Sequence, residues 1–239
     1  MNKNIRIKKY TSHQELAFAV ANRCEYQLKT ALSKNDNASF IVPGGTTPAP
    51  VFEQLSHAPL DWSKITIGLS DERWLAPDHP QSNQRLISET LRTNKAEHAK
   101  FFPMKNSCTT AFEGEANCNS EYKQFHTPFS LTMLGMGTDG HFASLFPNSK
   151  PFEQAINPNN RQTCVAIDAT GCPVAGDYPK RMSLTLSAIL NSELIILLIT
   201  GEEKLLVIEQ AIENNNPLVT PVSALVNQTK TPVEIYWSE

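Results

Sequence analysis

Short apolar runs recur along this chain, and between them lie stretches whose apolar residues fall at helical spacing. The run at 193–199, ELIILLI, is apolar throughout its interior, as expected of a strand buried on both faces. Runs at 5–9, 39–42, 64–69, 129–134, 164–167 and 233–237 read as further strands. Residues 14–32 carry Leu16, Ala17, Val20, Ala21, Cys24, Leu28, Ala31 and Leu32, the stripe of a helix. Residues 51–55, 83–91, 183–190 and 202–212 read as helices too. This alternation predicts a three-layer α/β/α fold with a largely parallel, Rossmann-like central sheet. Residues 96–125 are the least periodic and read as an excursion. Without a linker, repeat or low-complexity tract to divide it, the chain is expected to form one domain over 1–239.

Bulk properties narrow the function. A net charge of -3 over 239 residues argues against a nucleic-acid binder, which carries a basic stripe. The first residues, MNKNIRIKKYTSHQEL, lack the apolar core of a secretory signal. The longest apolar run, 194–199, is too short to span a bilayer. Five cysteines, an odd number without CxxC spacing, predict free thiols in a reducing, cytoplasmic setting. No His/Cys pair has metal-ligand spacing, so no metal site is expected.

Four polar constellations follow strands, where open α/β sheets bind ligands. The longest is LTMLGMGTDGHFASLFP, 131–147. It reads as a buried strand, a turn bearing Gly135, Gly137 and Gly140, and a helix starting near Asp139. Such a start suits an anion or a polarised carbonyl. His141 is the one side chain there whose unperturbed pKa suits proton transfer near neutrality. No GxSxG pattern offers a serine nucleophile, so water activated by His141 is the simpler chemistry. Ser144 fits a packing or hydrogen-bonding role better than a nucleophile's.

The second constellation, Pro43 to Pro48, sets Gly44 and Gly45 before Thr46 and Thr47. Its amides and hydroxyls can wrap a phosphate; the alternative is a tight turn capped by threonine. It is not a Walker loop. In the third, Ser70-Asp71-Glu72-Arg73 with Ser82-Asn83 downstream, Arg73 offers a bidentate anion contact. Asp71 would fix that arginine or meet sugar hydroxyls. A surface ion pair is the competing reading. The fourth, PKRMSLTL at 179–186, would carry Arg181 into a helix as a second phosphate ligand, or form only a solvated basic turn.

Taken together, GGTTP (44–48), SDERW with SN (70–74, 82–83), GMGTDGHFASLFP (135–147) and PKRMSLTL (179–186) resemble the 6-phosphogluconolactonase family. The resemblance spans most of the chain. It implies the fold shared with glucosamine-6-phosphate deaminases and ribose-5-phosphate isomerases. It also implies hydrolysis of 6-phospho-D-glucono-1,5-lactone in the pentose phosphate pathway, with no metal or organic cofactor. His141 matches the general base, and Arg73 and Arg181 match residues that meet the phosphate or stabilise charge. Gly44, Gly45 and Thr46 match the phosphate-side loop. Asp71 and Asn83 match polar positions around the site, and Gly137 and Asp139 fall in the central motif. The rival deaminase motif resembles GHIAFNEP, with an acid that the FASLFP of 142–147 lacks. A non-catalytic sugar-phosphate sensor would need the arginines but not His141.

Overall fold

A computed structural model of the chain describes residues 5–239. The elements run, in order, β1 Ile5–Tyr10, α1 His13–Asn35, β2 Ala38–Val42, α2 Ala49–Ser56, β3 Ile65–Leu69 and β4 Asp71–Arg73. Next come α3 Asn83–Thr90, β5 Lys100–Phe102, α4 Ala111–Tyr122, β6 Leu131–Leu134, α5 Phe152–Ala155 and β7 Cys164–Asp168. The chain closes with β8 Lys180–Leu184, α6 Leu186–Ile189, β9 Ile195–Thr200, α7 Glu202–Glu213, α8 Ser223–Val226 and β10 Val233–Ser238.

Seven strands, ordered β1-β10-β9-β6-β2-β3-β5, form one sheet in which every neighbouring pair is parallel. Helices flank it, giving the expected three-layer α/β arrangement. Strands β2 and β6 are buried along their whole length, as their apolar sequences require. Helix α1 buries Leu16, Ala17, Val20, Ala21, Cys24, Leu28 and Ala31. Ser12 caps its start by accepting from the Glu15 amide at 3.2 Å, and Asp36 ends it in a left-handed conformation. β2 feeds β3 on one side of the sheet, whereas the chain leaving β6 returns to β9 on the other. Their carboxyl ends border a crevice at this switch point, which places the glycine turns at 43–48 and 135–141 together.

Three expectations need correction. Residues 183 and 184, read as the start of a helix over 183–190, belong to β8, which pairs antiparallel with β4 and β7 in a second sheet. Hydrogen bonding on both edges outweighs local propensity here. Only one helical turn, α6, follows, capped by Thr185. The excursion at 96–125 contains β5 and α4. The helix expected near Asp139 is absent: residues 138–147 form turns, with Gly140 and Ala143 at φ 78° and 49°. Left-handed residues interrupt a right-handed helix.

An ionic cluster joins the sheet edge to α1. Glu234 on β10 accepts from Arg23 at 3.1 Å and from Lys8 at 3.0 Å, and Tyr236 donates to it at 2.9 Å. Burial raises the Glu234 carboxyl, but these donors outweigh it and hold its pKa at about 2. An acid depressed in the folded state contributes stability above its unfolded pKa and loses it as pH falls through the folded one. Glu234→Gln is therefore expected to cost about 2–3 kcal/mol at pH 7 and progressively less between about pH 4.5 and 2. Urea titrations of both proteins at pH 7 and pH 3 check this. An equal difference at both values would contradict the linkage.

Candidate active site

Loops leaving β2, β3, β6 and β9 surround a cleft of about 260 Å³. Its walls include Gly44, Gly45, Asp71, Arg73, Asn83, Gly137, His141 and Arg181. Of the other sequence candidates, Thr46 lies on a neighbouring cavity beside α1, and Asp139 stands behind His141. Lys204, from the first turn of α7, also lines the cleft. The sequence reading passed it over. Its signal is a GEEK turn at the carboxyl end of a buried strand, the same placement as the other motifs.

The turn after β6 builds the histidine's seat. Asp139 accepts from the His141 amide at 3.1 Å and pairs with its Nδ1 at 2.6 Å. Burial alone would raise the Asp139 carboxyl, but the bonds and charge of His141 hold it below its ordinary value. An ionised carboxylate only accepts, so Nδ1 carries the hydrogen in either ring state, and loss of the other proton leaves the lone pair on Nε2. The ring lies 4.1 Å from that of Phe146, centroid to centroid. Its Cε1–Nδ1 edge approaches Gly137 so closely that a Cβ there would collide with the imidazole. The Gly137 amide donates to the His141 carbonyl at 2.9 Å, so it is not a free oxyanion donor.

Arg73 and Arg181 occupy directly opposed positions on β4 and β8. Side chains opposed across an antiparallel pair share a face, so two guanidinium groups are brought to one side of the small sheet. Asp71, two residues before Arg73, shares that face. Arg181 is 6% exposed and Asp71 7% exposed. Arg181 Nη2 donates to Ala175 O at 2.9 Å, and Nη1 lies 3.9 Å from Asp71 Oδ2. Burial draws its pKa down to about 10, which leaves it cationic at neutral pH. Arg73 Nη1 donates to Gln81 O at 2.6 Å, while its buried Nε meets no acceptor among the described residues. Asp71 also accepts from Ser144 Oγ at 2.6 Å, and Ser144 is fully buried. Ser144 is thus a buried hydrogen-bonding residue.

The turn after β2 completes the wall. The Gly44 and Gly45 amides meet no acceptor among the described residues. Gly45 has φ 91°, and a Cβ on Gly44 would strike the Asn83 amide. Asn83 itself donates to the Asp71 carbonyl at 2.8 Å. Three cations, one buried carboxylate and one histidine thus face a single opening, with two backbone amides at its edge. Such a surface attracts an anionic ligand and can move a proton beside it.

Comparison with known proteins places this chain among enzymes. The family model described as glucosamine-6-phosphate isomerases/6-phosphogluconolactonase matches residues 11–237. A protein named 6-phosphogluconolactonase from Xylella fastidiosa (strain Temecula1 / ATCC 700964) is 38% identical over 98% of this chain and 96% of its own length. One of the same name from Rhizobium meliloti (strain 1021) is 33% identical over 100% of both chains. The crystal structure of a 6-phosphogluconolactonase from Shewanella baltica OS155 superposes with a TM-score of 0.94 at 38% identity, covering 100% of both chains. On the strength of a matched family model and full-length relatives, this chain belongs to the glucosamine-6-phosphate isomerase/6-phosphogluconolactonase family.

Proposed function

We propose that the chain hydrolyses 6-phospho-D-glucono-1,5-lactone to 6-phospho-D-gluconate, with His141 as the base, in the cytoplasm and as one domain over 1–239. The observation that carries this reading is the Asp139–His141 pair facing the same cleft as the opposed arginines. The dianionic phosphate meets Arg73, Arg181, Lys204 and the free amides of Gly44 and Gly45. Its binding energy holds the lactone carbonyl near His141.

His141 Nε2 takes a proton from water as the water oxygen bonds to C1. Asp139 stabilises the imidazolium that results. The carbonyl oxygen becomes an oxyanion, stabilised by the positive field of the arginine- and lysine-lined cleft. The bond from C1 to the ring oxygen then breaks, and the imidazolium gives its proton to that oxygen. One water is consumed, His141 is regenerated, and the open-chain acid ionises in solvent.

The test is hydrolysis of freshly generated lactone, coupled to oxidation of the product and corrected for spontaneous opening. The expected result is a rate well above the spontaneous one, with no ammonia released from glucosamine 6-phosphate. Ammonia release would move the chain to the deaminase branch. Binding of 6-phosphogluconate without turnover would make it a sensor.

A further inference from the structure

Strand β4 carries Asp71 and Arg73 into the cleft, but the residue between them points the other way. Glu72 is 1% exposed and touches none of the cleft. Its Oε1 accepts from the amides of Arg73 at 2.7 Å and Asn83 at 2.8 Å. Its Oε2 accepts from the Gln84 amide at 2.7 Å and from Ser82 Oγ at 3.0 Å. No lysine or arginine is paired with it among the described residues. Burial pushes the carboxyl up, and four donors pull the other way. A buried charge held only by dipoles costs free energy, and it needs a complete donor set to persist.

What those donors belong to matters. Gln84 and Asn83 open helix α3, and Ser82 is its N-cap. The turn just before them carries Gln81, whose carbonyl oxygen and Oε1 take the Arg73 guanidinium at 2.6 and 3.3 Å. Asn83 reaches back to the Asp71 carbonyl and abuts Gly44. One carboxylate therefore pins the segment that orients Arg73 and sets the distance between the β2 turn and β4.

We propose that Glu72 is a positioning residue for the hydrolysis, acting by fixing the 81–84 segment against β4 so that Arg73 is held aimed into the cleft. This rests on the lactonase reading for its substrate, though not for its geometry. Glutamine is the same size but has one acceptor oxygen, and its amide nitrogen would face donors that need an acceptor.

Wild type, Glu72→Gln, Arg73→Ala and the double variant are compared by lactone kcat/KM and by calorimetric binding of 6-phosphogluconate. A misplaced contact of about 1 Å lowers rate about 100-fold, and a loss of that order is expected for Glu72→Gln. Because Glu72 acts through Arg73, the double variant is expected to lose no more than the worse single one. Losses that multiply, or a Glu72→Gln protein at wild-type rate, would overturn the proposal. If Glu72→Gln does not fold, Glu72→Asp carries the same cycle, with its smaller loss expected to vanish in the Arg73→Ala background and a multiplying loss counting against it. A wild-type rate no faster than spontaneous opening defeats the lactonase reading instead. The calorimetric cycle then still decides whether Glu72 works through Arg73.

Discussion

His141→Ala is expected to lower kcat for the lactone by about 10²- to 10⁴-fold while 6-phosphogluconate binding stays near the wild-type value. The split follows from where the ring sits. It lines an open cleft, so its removal leaves space that water fills and no buried apolar void. The groups proposed to meet phosphate stand on β4, β8, α7 and the β2 turn, and none of them is held by His141. Coupled-assay kinetics beside calorimetry separate the two effects. A parallel fall in affinity and rate would make His141 a binding residue, and unchanged turnover would remove it from the chemistry.

The central sheet was legible because its strands are buried on both faces, which leaves continuous apolar runs such as IILLI in β9. The cleft was legible for a related reason. Its turns follow those strands directly, so motif and strand end coincide in the sequence. The smaller sheet was harder to see. In β8, Met182, Leu184 and then Leu186 alternate with polar residues, a period of two that was read as helical. Helix α4 hides its apolar stripe behind Gly114 and two asparagines, yet Thr110 and Glu113 spell a capping box that does form. Glu72 had no sequence signal beyond its place between two site residues. Its role depends on donors 10 to 12 positions away, brought to it by the fold. The turn at 138–147 misled because a glycine turn before apolar residues commonly opens a helix. Here the Asp139 carboxylate is spent on His141 and two left-handed residues redirect the chain.

Arg181→Ala is the substitution expected to damage both stability and activity. Two effects oppose each other. Deleting one of two opposed guanidinium groups relieves a cross-strand repulsion of roughly 0.2–1 kcal/mol. Against that, it strips the donors from the Ala175 and Tyr178 carbonyls and leaves the buried Asp71 carboxylate without its nearest cation. Breaking a buried pair by removing one partner costs about 3–5 kcal/mol, so the net change is destabilising by about 3 kcal/mol. Ser70 and Ser144 still donate to Asp71, which keeps the loss toward the lower end of that range. Activity falls for a different reason. The 174–178 segment borders the cleft through Val174, and it loses the side chain that ties it down. With a phosphate ligand also lost, kcat/KM is expected to drop about 10²- to 10³-fold, the equivalent of about 3–4 kcal/mol. Arg181→Lys keeps the charge but not the fork that reaches two carbonyls at once, so it should recover binding only in part. Thermal unfolding and lactone kinetics on the same preparations decide the matter. A variant with wild-type stability would mean that the buried pair is replaced without cost, and wild-type kcat/KM would take Arg181 out of the site.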